Sequence, residues 1–570
     1  MRFLSPLVGF LALVYFARPS WAQLSPENLT ANNFIRRGYH SSVVAQDWLY
    51  IDGGEVTFMF NDEQLAVPSN TFFSLDLSIN WTTASASLNF LDKPANCPSL
   101  NKGALWYDAW DGTVFAEFSG ESSLLPASFN QTWPLSIWRF TPDSKGSGEW
   151  VETIFPTDPM WAHFTRPSSG LTAFAPLGGV YLGGYSTFTT SPQTNNLPTD
   201  SQVPLPGMVT HNFQTGVFNN ESAAAFGGIG TAQDGVMVYV STFGSGGLYV
   251  ALAGAAPGPI ENSSTPLQLR DMNNITLYDP ASDTWYWQEA TGDIPEPRIN
   301  SCAAGVQGGA GSNLTFDIFL YNGWTGTSGP ENDALDGMYV LSLPAFRWTK
   351  INAEAMGPRA MHTCHTVSRQ MIVVGGLDPT SGPSINDSRK DTFPLGLGVF
   401  DMTELTWTTR YVENAAPYAQ ASQIKSIYST SRFPKSWSRP AFDTVIKTIN
   451  PNATLSSSLN STGNSGIGAI PSGGEAASMP SGSTVALAIV AGLLFIGFAV
   501  TILFLLRSRR RRRASLSTVT VTEKDGTKIT VTTYDRAGSV SEMADTPINE
   551  LDGSKNIVEL NAKSRVELPA

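Results

Sequence analysis

Gln370-Met-Ile-Val-Val-Gly-Gly376, closed by Trp407 about thirty residues later, decides how the rest of the chain is read. A short apolar run ending in two glycines is too small to complete a core alone, so it needs neighbours of its own kind. The chain supplies them. Trp48-Leu-Tyr-Ile-Asp-Gly-Gly54 is followed by Trp81, Gly179-Val-Tyr-Leu-Gly-Gly184 by Phe213 and Phe218, and Phe316-Asp-Ile-Phe-Leu-Tyr-Asn-Gly323 by Trp348. Weaker copies are Val114-Phe-Ala-Glu-Phe-Ser-Gly120 with Trp150, and Val236-Met-Val-Tyr-Val-Ser-Thr-Phe-Gly244 with Trp285. That gives six units between about Arg37 and Arg410.

Each unit reads as four short strands. The alternation of apolar, aromatic and β-branched residues in runs such as Phe73–Leu77, Ile275–Tyr278, Met338–Leu341 and Leu397–Phe400 has the period of a strand. The best-formed units open with Arg and, three residues on, His, as in Arg37-Gly-Tyr-His40 and Arg359-Ala-Met-His362, which is read as the head of an innermost strand. The glycine pairs Gly53-Gly54, Gly183-Gly184 and Gly375-Gly376 permit positive φ and close backbone approach. The spaced Trp81, Trp150, Trp285, Trp348 and Trp407 supply large apolar plates that wedge between sheets.

These glycine pairs and spaced tryptophans resemble the kelch family over roughly residues 30–430. The resemblance implies an all-β fold, a kelch-type β-propeller of radially arranged four-stranded blades. Six blades are expected, with seven as the alternative. The units run longer than the family's usual ~50 residues, so the loops carry extra material. The second unit lacks Gly-Gly and the third lacks its terminal Trp. Ring closure is expected either from residues near Asn28–Ile35 or from the stretch after Trp407.

Flanking segments place the propeller. Residues 1–22, with an apolar run from Phe3 to Ala17 and small residues before Gln23, read as a cleaved signal peptide. Residues 23–449 read as the extracellular propeller, and 450–483, rich in Ser, Thr, Gly and Asn, as a stalk without a core. Residues 484–506 are long and apolar enough for one transmembrane helix, and six arginines within Arg507–Arg513 orient the 507–570 tail inward. The expected topology is single-pass type I in the plasma membrane, similar to membrane-anchored kelch proteins of fungal type.

Sequons fit that arrangement. Asn28, Asn130, Asn220, Asn262, Asn274, Asn313, Asn386, Asn452 and Asn460 all precede the apolar span and are expected glycosylation sites. Asn80, beside Trp81, is expected to be unused. In the tail, Arg512-Arg513-Ala-Ser515 resembles a basophilic kinase site next to a lipid-attracting basic cluster, so Ser515 is a phosphorylation candidate. The Thr- and Val-rich runs around Asp525-Gly526 carry a hairpin signal, with pairing expected only on a partner.

Residues 23–483 carry 21 Lys and Arg against 39 Asp and Glu, a net charge of −18, which argues against nucleic-acid partners. Three cysteines, Cys97, Cys302 and Cys364, are too few for a disulfide framework. Cys302 and Cys364 sit on consecutive innermost strands, where either one bridge or buried thiols fit. No metal-binding, nucleophile or phosphate-loop motif occurs, so neither an enzyme nor a cofactor is expected. The alternative is a copper radical oxidase of galactose-oxidase type, whose site Tyr39-His40, His362 or His365, and Cys302 or Cys364 resemble. Against it, His40 and His362 occupy one position in two repeats, as packing residues do. The expected function is recognition of a protein or cell-wall glycan outside the cell, with a kinase as a further partner of the tail. Tyr185, Phe188 and Trp324, in or beside long loops, are the binding candidates.

Overall fold

The computed structural model describes residues 29–453 apart from 126–131, 154–163, 228, 257–260, 263–266, 310–313, 330–334, 430 and 452, together with the backbone of 516–522 and 528–534. The chain divides into two units, Met1–Ala469 and Ile470–Ala570. The expected signal peptide, transmembrane helix and Ser515 lie outside the described residues, as do Asn28, Asn130, Asn313, Asn452 and Asn460. Among the described residues no helix is long and apolar enough to cross a membrane.

Within the first unit, the described residues form six antiparallel meanders of four strands each, the fifth meander gaining a short parallel edge strand, Thr291–Gly292. Their innermost strands are Ser41–Ala45, Trp106–Asp108, Leu171–Ala175, Val236–Val240, Cys302–Gly308 and Thr363–Val367. Each touches the next in that order, and the last touches the first, so the strands enclose a central channel. This is a β-propeller arrangement.

The core is divided accordingly. Six clusters of buried apolar side chains each sit in the seam between two neighbouring meanders. Between the first and second, Tyr50, Phe72, Phe140 and Trp150 pack ring against ring, with centroids 4.8 to 5.3 Å apart. Trp348 is fully buried between the fourth and fifth and donates its indole N–H to the Met272 carbonyl at 3.0 Å. Such seams, rather than one central mass, hold the fold.

Two strand assignments differ from the sequence reading. In the fourth meander Val236–Val240 is the innermost strand, not the second; the second is Leu248–Leu252, followed by Ala253 and Gly254. Both runs are equally apolar, so composition does not separate them. Trp81 is not on the outer strand of the first meander, which is Leu88–Asp92. It lies on Trp81–Thr82, which pairs with Arg410–Tyr411, and its ring stacks on Tyr411 at 4.8 Å. Chain from beyond Trp407 therefore joins the first meander.

A second join comes from the front of the chain. Phe34–Gly38 pairs with Glu55–Phe60 in a small separate sheet, and Arg37 bridges Gly376 of the sixth meander. Beyond Tyr411 the chain continues as a strap. Ser368 donates to Ala415 and Ala416, Gln420 and Tyr418 donate to Asp317, and Phe442 and Ile446 of helix Pro440–Lys447 enter the seam core. Packing runs on through Asn450 and Ala453, both buried, past the domain edge expected at 449.

In the second unit, Leu516–Thr522 pairs with Lys528–Tyr534 in the register Val519↔Val531. The hairpin signal is thus realised within the tail, where pairing was expected only on a partner.

Candidate binding face and central channel

Strand register sorts the loops onto two faces. In five meanders the first residue of the innermost strand pairs with the last residue of the second, Ser41↔Asp52, Leu171↔Leu182, Val236↔Leu252, Cys302↔Tyr321 and Thr363↔Val374, and in the second meander Trp106 pairs with Phe115, one residue short of the end. The lead into strand one and the loop leaving strand two therefore share a face. That loop face carries the long segments 183–207 and 375–396 and the described residues 322–329 and 335–337 of a third. The opposite, turn face carries tight connections such as Gln46-Asp47, Pro176-Leu177 and Ser368-Arg369.

Two concentric backbone rings organise the loop face. In the outer one, the glycine ending each second strand donates its amide to the lead-in of the next meander: Gly54 to Leu100, Gly120 to Pro167, Gly184 to Ala232, Gly254 to Arg298, Gly323 to Arg359 and Gly376 to Arg37, at 2.7 to 3.2 Å. The cycle closes on itself. At Gly376, with φ 118°, a Cβ would stand 2.3 Å from the Arg359 side chain, so the second glycine of the motif is required for space as well as φ.

The inner ring is built of Tyr39, Lys102, Ser169, Asp234, Asn300 and Met361, all at φ between 54° and 63°. Five amide-to-carbonyl bonds of 2.7 to 3.1 Å link them from Lys102 to Tyr39 through to Met361 to Asn300. Left-handed backbone costs an ordinary residue roughly 1 kcal/mol, and it persists where surrounding structure holds it. Six different residue types occupy this position, so no sequence motif marks it.

Buried arginines hold the loops. Arg359 donates to the Gly375 carbonyl at 2.6 Å and makes a two-pronged pair with Asp391 at 2.5 and 2.9 Å. Arg298 reaches the Glu296 and Asn322 carbonyls, and Arg166 those of Trp133, Pro134 and Thr190. Of the two arginines in the Arg-x-x-His pattern, Arg359 is thus a loop anchor, as are Arg166 and Arg298, which stand three residues before Ser169 and Ser301 instead of a His. Arg37 is the exception; its guanidinium lies over the Phe73 ring at 4.2 Å.

The channel has a volume of about 840 Å³ and is lined from all six innermost strands. At its loop-face mouth Lys102 pairs with Glu121 at 2.8 Å and donates to the Tyr185 hydroxyl at 2.8 Å. Burial alone would lower the Lys102 ammonium, but Glu121, Tyr185 and Asp234 outweigh it and hold its pKa well above the ordinary value. Burial raises the Asp234 carboxyl against the opposing pull of Lys102 and Ser169. Deeper lie three histidines. His40 Nε2 meets Thr363 Oγ1 at 3.2 Å, and His365 Nε2 meets Ser42 Oγ at 2.6 Å. Burial pushes His362 down to about 3, helped by Arg359, and His365 down to about 4; it also lowers His40, helped by Arg37.

Cys302 and Cys364 form a disulfide across the fifth and sixth innermost strands, and Cys97 is a free buried thiol. In this state neither Cys302 nor Cys364 offers the free cysteine that the copper-oxidase resemblance drew on.

Of the binding candidates, Tyr185 is 1 % exposed and works as a support beneath Lys102 rather than a free ring. Phe188 and Trp324 are half-buried on loop-face segments; Trp324 donates its indole N–H to Thr327 at 2.7 Å. Asn220, Asn274 and Asn386 are exposed, as a glycan acceptor must be, while Asn262 lies on the short strand Glu261–Asn262. The inner ring, the loop anchors and the strap were missed in the sequence; the Arg recurring ahead of four of the six innermost strands, at Arg37, Arg166, Arg298 and Arg359, was the available signal.

No family model matches the chain. A curated relative, a "Kelch repeat-containing protein" of Arthroderma benhamiae, is 26% identical over 441 residues, covering 71% of this chain. The match spans 61% of that relative's length. The likeness supports a kelch-repeat assignment. Among solved structures, one described as "Structure of YjhT" aligns with 66% of this chain and 97% of its own, at 12% identity and a TM-score of 0.40.

Proposed function

We propose that this chain is a non-catalytic, membrane-anchored cell-surface protein whose six-bladed kelch-type propeller presents its loop face to a protein partner. One observation carries the reading. The long inter-strand loops, the strained inner ring and the half-buried Phe188 and Trp324 all gather on one face, whereas the chain's own strap occupies part of the other. Rigidly held loops with part-exposed aromatics are the usual composition of a recognition surface. The name of the Arthroderma relative is compatible with a binding role.

The remaining segments complete the proposal. Residues 1–22 direct secretion, 484–506 anchor the chain, exposed Asn220, Asn274 and Asn386 carry glycans, and Ser515 phosphorylation releases the basic juxtamembrane cluster from anionic lipid. A cell-wall glycan is the second reading, because an aromatic ring at a loop face also stacks on sugars.

The test is capture with the glycosylated ectodomain, ended beyond Ala453 so that the strap stays intact. It is challenged with detergent-solubilised surface proteins and, separately, with insoluble wall polysaccharide from the same cells. A discrete protein retained by wild type and lost with Trp324→Ala supports the first reading. Retention on polysaccharide alone supports the second, and retention by neither contradicts both.

A further inference from the structure

The wall of the channel holds a set of ligands that the binding reading does not use. The Cys302 and Cys364 sulfurs and a ring nitrogen of His362 lie within 4.8 Å of one another. His362 is 5 % exposed, and neither of its ring nitrogens makes a well-formed hydrogen bond among the described residues, although the backbones of Tyr321 and Ala360 lie close enough to act on the ring. A buried imidazole without a well-formed hydrogen bond at either nitrogen is an expensive arrangement unless something else takes a lone pair. All three residues line the channel, so an ion has a path to them.

We propose that Cys302, Cys364 and His362 form a redox-gated site for a thiophilic divalent cation of the zinc class. Two thiolates and one imidazole suit zinc, and the two negative charges neutralise the ion in a buried place. A fourth position opens to the channel for water. In the structure the sulfurs are bonded to each other, so disulfide and metal are alternative states of one site. Passage between them balances with a monothiol reductant. Two RSH reduce the Cys302–Cys364 bond, giving two cysteine thiols and RSSR; zinc then displaces two protons as it binds both sulfurs and the neutral His362. The inference is independent of the partner proposed above.

The experiment uses the full chain in detergent, oxidised or reduced with excess monothiol and then desalted without oxygen. Cobalt(II) is titrated in as the spectroscopic probe, followed by zinc. The expected result is one cobalt per chain with thiolate-to-metal charge-transfer absorption, in the reduced protein only, displaced by zinc. Cys97→Ser leaves this unchanged, Cys302→Ser abolishes it, and His362→Ala weakens cobalt binding by about tenfold or more. Because a buried histidine variant can disturb packing, a second readout uses wild type alone: zinc slows alkylation of Cys302 and Cys364 in the reduced chain. The proposal is overturned by reduced wild type without a thiolate–cobalt band, by His362→Ala or His362→Gln binding as tightly as wild type, or by zinc leaving alkylation unchanged.

Discussion

The two faces of the ring are made by the same six repeats and have different fates. On the turn face, the strap from Val412 to Ala453 lies against the short connections of the sixth, fifth and fourth meanders. It meets Ser368 and Gln370, then Asp317, then Phe346 and Phe243. On the loop face the long segments are held from beneath, by buried arginines and the glycine ring, and residues such as Asn195, Asp200 and Asn386 on them are exposed. The comparison teaches that in this chain one face is consumed in stabilising the ring and the other is stiffened and left open.

Breaking the support of the loop face has the largest expected effect. Arg359→Ala strands the buried Asp391 carboxylate and frees the Gly375 carbonyl, so a loss of about 3–5 kcal/mol is expected by denaturant titration. An unchanged unfolding midpoint removes the anchor role. On the turn face, Phe442→Ala empties a site packed by Tyr286, Phe346 and Trp437, at a cost of about 3 kcal/mol. Proteolysis is expected to begin within the strap while the loop face still binds.

A smaller effect sharpens the turn-face side by pH. Burial pushes the Asp317 carboxyl up to about 6, against hydrogen bonds from Ser342, Gln420 and Tyr418. Its ordinary value is 3.8, so the folded protein holds a proton that the unfolded chain has released between those limits. The contribution of this group to stability therefore grows as pH falls from about 6 towards 4 and is lost as pH rises through 6. Thermal melting across that window is expected to show the rise in wild type and a flatter profile in Asp317→Asn; parallel profiles contradict the assignment.

How much of this was legible in the sequence varies with the physics behind each feature. The sixth meander reads at once, because Gly375-Gly376 and Trp407 meet demands that few residue types satisfy. The fourth hides its second strand, because Ala253 takes the positive φ that a glycine would advertise. The inner ring leaves no trace, since its bonds are backbone to backbone and tolerate Tyr, Lys, Ser, Asp, Asn or Met. Tyr185 was read as a loop aromatic, yet its hydroxyl is spent on Lys102 and Ser169, a pairing that only the fold creates. The stretch after Trp407 was read only as a source of the closing strand; its course as a strap as far as Ala453 depends on contacts with distant meanders that no local pattern marks.

The most direct measurement sets two tryptophans against each other. Trp324 sits half-buried on the loop face, and Trp110, 54 % exposed, sits on the turn between the first two strands of the second meander. With the captured partner in hand, the affinities of Trp324→Ala and Trp110→Ala are compared with wild type, each variant first shown to melt as wild type does. A loss of tenfold or more for Trp324→Ala, with Trp110→Ala unchanged, is the result predicted for recognition by the loop face. The reverse pattern, or equal losses, contradicts it.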